Sequence, residues 1–144
     1  MNAKSQKLLD ILHEQDGTLV VMNGGETRVF HQRGVADLLQ LLKHEKSVLQ
    51  GACVADKVVG KAAASLMVLG GVRSVVTDLI SQQAMKVMGR SRMNVYFNKM
   101  VPFILNRKQE GLCPLEMMTT DTDDIHEILL RIEAFADKMK QDKQ

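Results

Sequence analysis

GACVADKVVGKAAASLMVLGG, residues 51–71, is the stretch that decides the fold of this chain. It begins with a short apolar run that stops at Asp56, continues as a small-residue helical pattern, and ends at a pair of glycines. Aspartate is a favourable helix N-cap. The stretch therefore predicts a strand or extended entry over about 48–54, followed by a helix from about residue 55 to Leu69 that crosses the sheet centrally.

Two lysines, Lys57 and Lys61, would lie four residues apart on one face of the first turns of this helix. A helix N-terminus has a partial positive charge, so lysine is disfavoured there. One interpretation is that these lysines and the free first-turn amides hold a phosphate or carboxylate. The other is that both are solvated surface lysines. Gly60 in the same helix costs about 1 kcal/mol relative to alanine, and close packing explains it better than ligand approach.

Outward from this stretch, the sequence predicts alternating helices and strands. An amphipathic helix over about 3–15 precedes two β-rich runs joined by Asn23-Gly24-Gly25, which is a strong hairpin signal. The remaining predicted elements are a helix over 35–45, strands over 72–79, 93–97 and 101–105, a helix over 82–88 capped by Ser81, a loop over 106–116 with a helical turn at Pro114, and a last amphipathic helix capped by Thr122 or Asp123.

This order predicts an α/β fold, a three-layer α/β/α sandwich with a mixed sheet. A length of 144 residues without a low-complexity linker predicts one domain over 1–144, with a disordered tail at about 140–144. Several folds share the order, so the pattern leaves the topology open.

Composition excludes several classes of function. The net charge is +2 and the chain has four Phe, one Tyr and no Trp, so we expect no nucleic-acid partner. No apolar run approaches the roughly 20 residues that span a bilayer, and residues 1–15 lack the apolar core of a signal peptide. The two cysteines are not spaced as a disulfide framework. We therefore expect no membrane partner and a cytoplasmic protein with reduced thiols.

Four blocks resemble a bacterial and archaeal family of unknown function: VADKVVGKAAA at 54–64, GV at 71–72, IS at 80–81 and VPFILNRKQEGLCPLE at 101–116. The resemblance runs from about Thr18 to Glu116. Known members of that family have a cytidine-deaminase-like fold, so the resemblance implies this variety of three-layer sandwich. It implies no settled activity.

The zinc signature of the deaminases is missing from this sequence. Those enzymes have His-x-Glu or Cys-x-Glu at the start of one helix and Pro-Cys-x-x-Cys at the start of the next. Here the corresponding segments are CVADK at 53–57 and SQQA at 81–84. A catalytic zinc needs three protein ligands at fixed geometry. The sequence therefore predicts no metal site and no cofactor.

The loop at 106–116 contains the other candidate residues. Pro114 suits the first position of a helix, which places Cys113 near its N-cap, where it is either a nucleophile or a structural cysteine. Arg107 offers a planar fork for an anion, or it pairs with Glu110 or Glu116. The predicted ligand-binding residues are Asp56, Lys57, Lys61, Ser81, Asn106, Arg107 and Glu116, with Cys113 as the catalytic candidate.

These observations favour a zinc-independent protein that binds a small anionic ligand, nucleotide-like or phosphorylated. One alternative is a non-catalytic interaction module, for which a homodimer is the default assembly. The other is an enzyme that uses Cys113 as its nucleophile. The sequence leaves open whether any reaction is catalysed.

Overall fold

Helices and strands follow one another largely in the predicted order, but a short helix, Lys46–Leu49, overlaps the predicted strand over 48–54. The computed structural model describes residues 1–106 and 108–142. The strands are β1 (Leu19–Asn23), β2 (Glu26–Phe30), β3 (Cys53–Val59), β4 (Ser74–Ser81) and β5 (Asn94–Val101). The helices are α1 (Ala3–Glu14), α2 (Ala36–His44), α3 (Lys46–Leu49), α4 (Lys61–Gly70), α5 (Gln82–Gly89), α6 (Pro114–Met117) and α7 (Ile125–Asp142).

The strands form one mixed sheet in the order β2-β1-β3-β4-β5. Strand β1 is antiparallel to both of its neighbours, whereas β3, β4 and β5 are parallel. The β1–β2 hairpin turns at Gly24 and Gly25, whose φ angles are 59° and 83°. Two consecutive positive φ angles suit a two-residue hairpin turn and favour glycine. The hairpin prediction is therefore confirmed.

Helices cover both faces of the sheet. Helix α1 packs Leu8, Leu9 and Leu12 against one face, where they meet Val20 and Ala55. The apolar side chains of α2, α4, α5 and α7 form the larger core on the other face. The fold is therefore a three-layer α/β/α sandwich with a mixed sheet, as the sequence predicts.

Helix α4 lies at the centre of the larger core and packs against α2, α5 and α7. Its small residues at 62–64 are buried, which lets the surrounding helices approach closely. Gly71 ends the helix with φ 75° and its amide bonds the carbonyl of Val68. A left-handed residue at this position is a common helix terminator, and glycine adopts it without strain.

The predicted start of this central helix is wrong. Residues 56–59 continue β3, because Asp56 pairs with Leu19 of β1 and Val58 pairs with Leu79 of β4. The helix begins only at Lys61, after Gly60 as N-cap. Asp56 is therefore a strand residue and not the cap of α4.

Other boundaries differ from the sequence prediction at places where long-range pairing decides the structure. Residues 94–101 form one strand, and in place of a further strand Leu105 makes an isolated bridge to Leu112. Helix α7 is capped by Asp124, whose carboxylate accepts hydrogen bonds from the amides of His126 and Glu127. The predicted caps Thr122 and Asp123 precede it. Helix α7 continues to Asp142, and the rest of the predicted tail, residues 143–144, lies outside the described residues.

Two local predictions about where helices begin are confirmed. The Ser81 hydroxyl accepts a hydrogen bond from the Ala84 amide at 3.1 Å and caps α5. Pro114 is the first residue of α6, with Cys113 as N-cap. Within the described ranges, no helix combines the length and apolar character needed to cross a membrane.

Candidate functional site

A cavity of about 500 Å³ opens beside the N-terminus of α4. Its walls come from the loop before α2, from the end of β3, from the first turn of α4, and from the segment that enters α6. These parts of the chain are far apart in sequence. The cavity therefore exists only because the fold brings the end of β3 and the start of α4 against α6.

Glu116 fixes the relation between α4 and α6. Its carboxylate is buried, and it accepts a hydrogen bond from the Lys61 amide at 3.0 Å and from the Ile104 amide at 2.9 Å. A carboxylate at a helix N-terminus is stabilised by the helix dipole. Glu116 therefore caps α4 from 55 residues away in the chain.

Gly60 permits this close approach. A Cβ atom at position 60 would lie 2.8 Å from Oε1 of Glu116 and 3.3 Å from a side-chain carbon of Ile104. The steric reason for a glycine here is therefore the carboxylate that caps α4. This agrees with the packing interpretation, although Gly60 is the N-cap and not a residue of the helix interior.

Two amides of the first turn of α4 face no acceptor among the described residues. Glu116 accepts from the Lys61 amide, and the Ala64 amide bonds the Gly60 carbonyl. In the described part of the chain, the amides of Ala62 and Ala63 have no hydrogen-bond partner, and both residues line the cavity. Free amides at a helix N-terminus are a favourable place for an anion.

Asp56 lies in the cavity wall with only 8% of its surface exposed. Burial disfavours the charged form of the carboxyl group and raises its pKa from 3.8 to about 7. The backbone amides of Val58, 3.4 Å from Oδ1, and of Lys57 act to lower the pKa, and burial outweighs them. A carboxyl group with a pKa near neutrality in a cavity is a frequent feature of functional sites.

The two predicted lysines have separate environments, so they do not form a pair on one helix face. Lys57 is an exposed residue of β3 at the cavity. Lys61 is buried, and its ammonium lies 2.9 Å from Oδ1 of Asp123, outside the cavity wall. This ion pair lowers the pKa of Asp123.

Arg33 is the second cationic residue of the described cavity wall, and it was not among the predicted ligand-binding residues. It lies in the loop before α2, next to Gly34, and no motif in the sequence marks it. Within the described ranges, neither Arg33 nor Lys57 lies at ion-pair distance from a carboxylate. Both charges are therefore available to a ligand.

The remaining predicted residues fall in different places. Ser81 is buried as the cap of α5 and is not part of the cavity wall. Asn106 closes its own loop, since its amide bonds the Gly111 carbonyl and its side chain accepts from the Glu110 amide. Arg107 lies outside the described residues. Cys113 is half-buried and lines the cavity.

The cavity brings together four of the predicted residues: Asp56, Lys57, Cys113 and Glu116. Its described wall contains no histidine that could act as a base for the cysteine. In the part of the chain that the structure describes, no three His, Cys, Asp or Glu side chains are grouped to hold a metal ion.

The chain matches a known protein family over most of its length. Residues 7–136 match the model described as "TM1506: Domain of unknown function (DUF1893)". The chain belongs to the DUF1893 family. It is also similar to the crystal structure of the DUF1893 protein TM1506 from Thermotoga maritima, with 26% identity and a TM-score of 0.83 over 93% of this chain and 91% of that one. The search of the curated proteins finds no match to this DUF1893 chain.

Proposed function

We propose that this DUF1893 protein binds a small anionic ligand, nucleotide-like or phosphorylated, in the cavity at the N-terminus of α4, and that it does so without zinc. The observation behind this proposal is the pair of free amides at Ala62 and Ala63, which line a cavity of about 500 Å³. The helix dipole and two amide donors favour a negatively charged group at this point. Arg33 and Lys57 add positive charge at the same cavity.

The cytidine-deaminase-like topology is part of the same proposal. The mixed sheet with helices on both faces is compatible with it. The cavity lies where the parallel strand β3 leads into α4, and the resemblance places the deaminase active-site helix at this segment. The absence of the zinc signature from residues 53–57 and 81–84 supports binding without a metal.

Substitution of Lys57 by methionine tests the anion site. A screen of nucleotides and phosphorylated metabolites by thermal shift identifies a ligand first, because a ligand at 100 times its Kd adds about 2.7 kcal/mol of stability. For such a hit, Lys57→Met should weaken binding about fivefold to tenfold through the loss of one charge contact from an exposed side chain. Lys61→Met is the matched control and should leave the affinity unchanged, since its ammonium pairs with Asp123. Equal losses in both variants would contradict this site.

A homodimer is a second candidate, and the exposed apolar side chains along β5 favour it. Phe97 and Met100 are each 37% exposed, and Phe103 just after the strand is 40% exposed. Strand β5 is at an edge of the sheet, so its outer backbone groups are open to pairing with another strand. Self-association of two copies along β5 would cover the exposed apolar side chains and would pair the open backbone groups of the two edge strands.

Light scattering tests this assembly. The protein should have twice its chain mass of 16.1 kDa, and the double variant Phe97→Asp/Met100→Asp should return it to the chain mass while retaining its circular dichroism. Exposed substitutions of this kind leave stability within about 0.5 kcal/mol when no interface is present. A wild-type protein with the mass of one chain at high concentration would exclude the dimer.

A further inference from the structure

Asp56 has hydrogen-bonding capacity that the protein does not use. More than nine-tenths of the residue is buried, yet it lines the cavity. The backbone amides of Lys57 and Val58 lie near its carboxyl group, and the Val58 amide is 3.4 Å from Oδ1. The neighbouring Lys57 amide donates to the Thr18 carbonyl at 3.1 Å. No described side chain donates a hydrogen bond to Asp56, so the carboxyl group keeps acceptor capacity at the cavity wall for a donor on a ligand.

Glu116 provides the internal comparison. It is the other carboxylate of the cavity, and both of its oxygens accept hydrogen bonds from backbone amides. Its role in holding α4 and α6 together accounts for its burial. The hydrogen bonds of Asp56 do not account for its burial in the same way, so the two carboxyl groups have different functions.

The charges in the cavity limit the ligand. Arg33 and Lys57 contribute two positive charges, while Glu116 and ionised Asp56 contribute two negative ones, so the four side chains sum to zero. The amides of Ala62 and Ala63 then supply the excess attraction for one negative charge. A ligand with several negative charges would be repelled by the two carboxylates. Cys113 is the remaining titratable side chain in the described wall.

Much of the described wall is apolar and suits a ring or hydrocarbon body. Val35, Ile104 and Leu115 line the cavity together with the methyl groups of α4. Pockets for small molecules typically combine such walls with a few polar groups that fix the orientation of the ligand.

We propose that the ligand of this cavity is a monoanion on an apolar body that also bears an N–H or O–H donor, and that Asp56 binds the donor while the amides of Ala62 and Ala63 bind the anionic group. A carboxylate or a singly charged phosphate ester meets this description. The inference rests on the proposed function and narrows it from anions in general to one chemical class.

Matched pairs of carboxylates test this assignment at pH 8, above the pKa of about 7 of Asp56. Indole-3-acetate bears an N–H donor and 1-naphthaleneacetate does not; 3-(4-hydroxyphenyl)propionate bears an O–H donor and 3-(4-methylphenyl)propionate does not. Titrations of the full chain followed by ligand NMR should show about tenfold tighter binding for the donor-bearing member of each pair. Inorganic phosphate alone should bind more weakly than either donor.

Variants assign the preference to Asp56. Asp56→Leu should abolish the difference within each pair, whereas Asp56→Asn, which keeps an acceptor oxygen and the shape of the side chain, should retain part of it. Lys57→Met should weaken both members of a pair by the same factor. If Asp56→Leu does not fold, Asp56→Asn is sufficient for the test. A preference for the donor-bearing ligand that is unchanged or absent in Asp56→Asn would contradict the assignment.

The outcomes separate this inference from the proposed function. Binding of all the carboxylates without a preference for donors would overturn the role of Asp56 and leave the anion site intact. A donor preference that persists in Asp56→Leu would also overturn it. If none of the carboxylates binds while a nucleotide or phosphorylated metabolite from the thermal-shift screen does, this inference is wrong and the proposed function stands. If none of these anions binds, both proposals are wrong.

Discussion

Replacement of Asp56 by asparagine should raise the free energy of unfolding at pH 8 by up to about 4 kcal/mol. The pKa of this carboxyl group is about 7 in the folded protein, against 3.8 in its ordinary state. Above pH 7 the folded protein therefore holds a charge that burial disfavours. Asparagine has a similar shape and no charge, so it removes this cost.

The sign of the pH dependence follows from proton binding. Between pH 3.8 and about 7 the folded protein binds more protons at Asp56 than the unfolded chain does, so stability falls as pH rises through this window. The lowered pKa values of Asp121 and Asp123 have the opposite sign and act below pH 4. Both aspartates are present in the wild-type protein and in Asp56→Asn, so their contributions cancel in the difference between the two free energies of unfolding.

Urea unfolding at pH 4, 6 and 8 measures the effect. The advantage of Asp56→Asn should be smallest at pH 4, grow at pH 6 and reach its full value at pH 8. An advantage that is the same at all three values, or a loss of stability at pH 8, would show that the carboxyl group is not destabilised by burial. If Asp56→Asn stabilises the protein and also weakens its preference for donor-bearing ligands, the aspartate is retained for function at the expense of stability.

The sequence was sufficient for the architecture because its signals are local. The Asn-Gly-Gly turn, the period of α7 and the small residues of α4 each determine an element within one short segment. Their order then leaves few arrangements other than a mixed sheet between two layers of helices. The confirmed caps at Ser81 and Cys113 belong to the same local chemistry.

The junction between β3 and α4 could not be placed in this way. An aspartate that precedes a run of small residues is typical of a helix start, and nothing in residues 54–61 indicates that the neighbouring strands continue beside them. In the structure Asp56 and Val58 pair with β1 and β4, and this pairing outweighs the local preference. Because the helix start was predicted too early, Lys57 was expected on a helix and Lys61 was expected in the ligand site. In the structure the Lys61 ammonium lies outside the cavity and pairs with Asp123.

The composition of the cavity depends on contacts between distant segments. Arg33 lies in the loop before α2 and Glu116 lies in α6, far apart in the chain, and neither spacing nor residue type predicts that both line one cavity. The sequence drew attention to Glu116 as a ligand-binding residue, whereas its two oxygens are occupied by backbone amides. Its role as a distant cap emerges only when α6 is packed against α4.

Glu116→Ala should lower the free energy of unfolding by about 3–5 kcal/mol. The substitution leaves the amides of Lys61 and Ile104 buried without an acceptor and removes a negative charge from the N-terminus of α4. Each charge-assisted hydrogen bond of this kind contributes about 1.5–3 kcal/mol. Equilibrium unfolding in urea provides the measurement.

Two companion variants separate the cap from a general sensitivity of the loop. Glu116→Gln keeps one acceptor oxygen but presents an amide donor to the second backbone N–H, so it should lose about half as much stability as Glu116→Ala. Glu110→Ala removes an exposed carboxylate from the same loop and should change stability by no more than about 0.5 kcal/mol.

A loss below about 1 kcal/mol in Glu116→Ala would mean that water entering the cavity satisfies both amides. Acetate should restore part of the stability of Glu116→Ala but not of Glu116→Gln, because only the alanine variant leaves room for a carboxylate between the two amides.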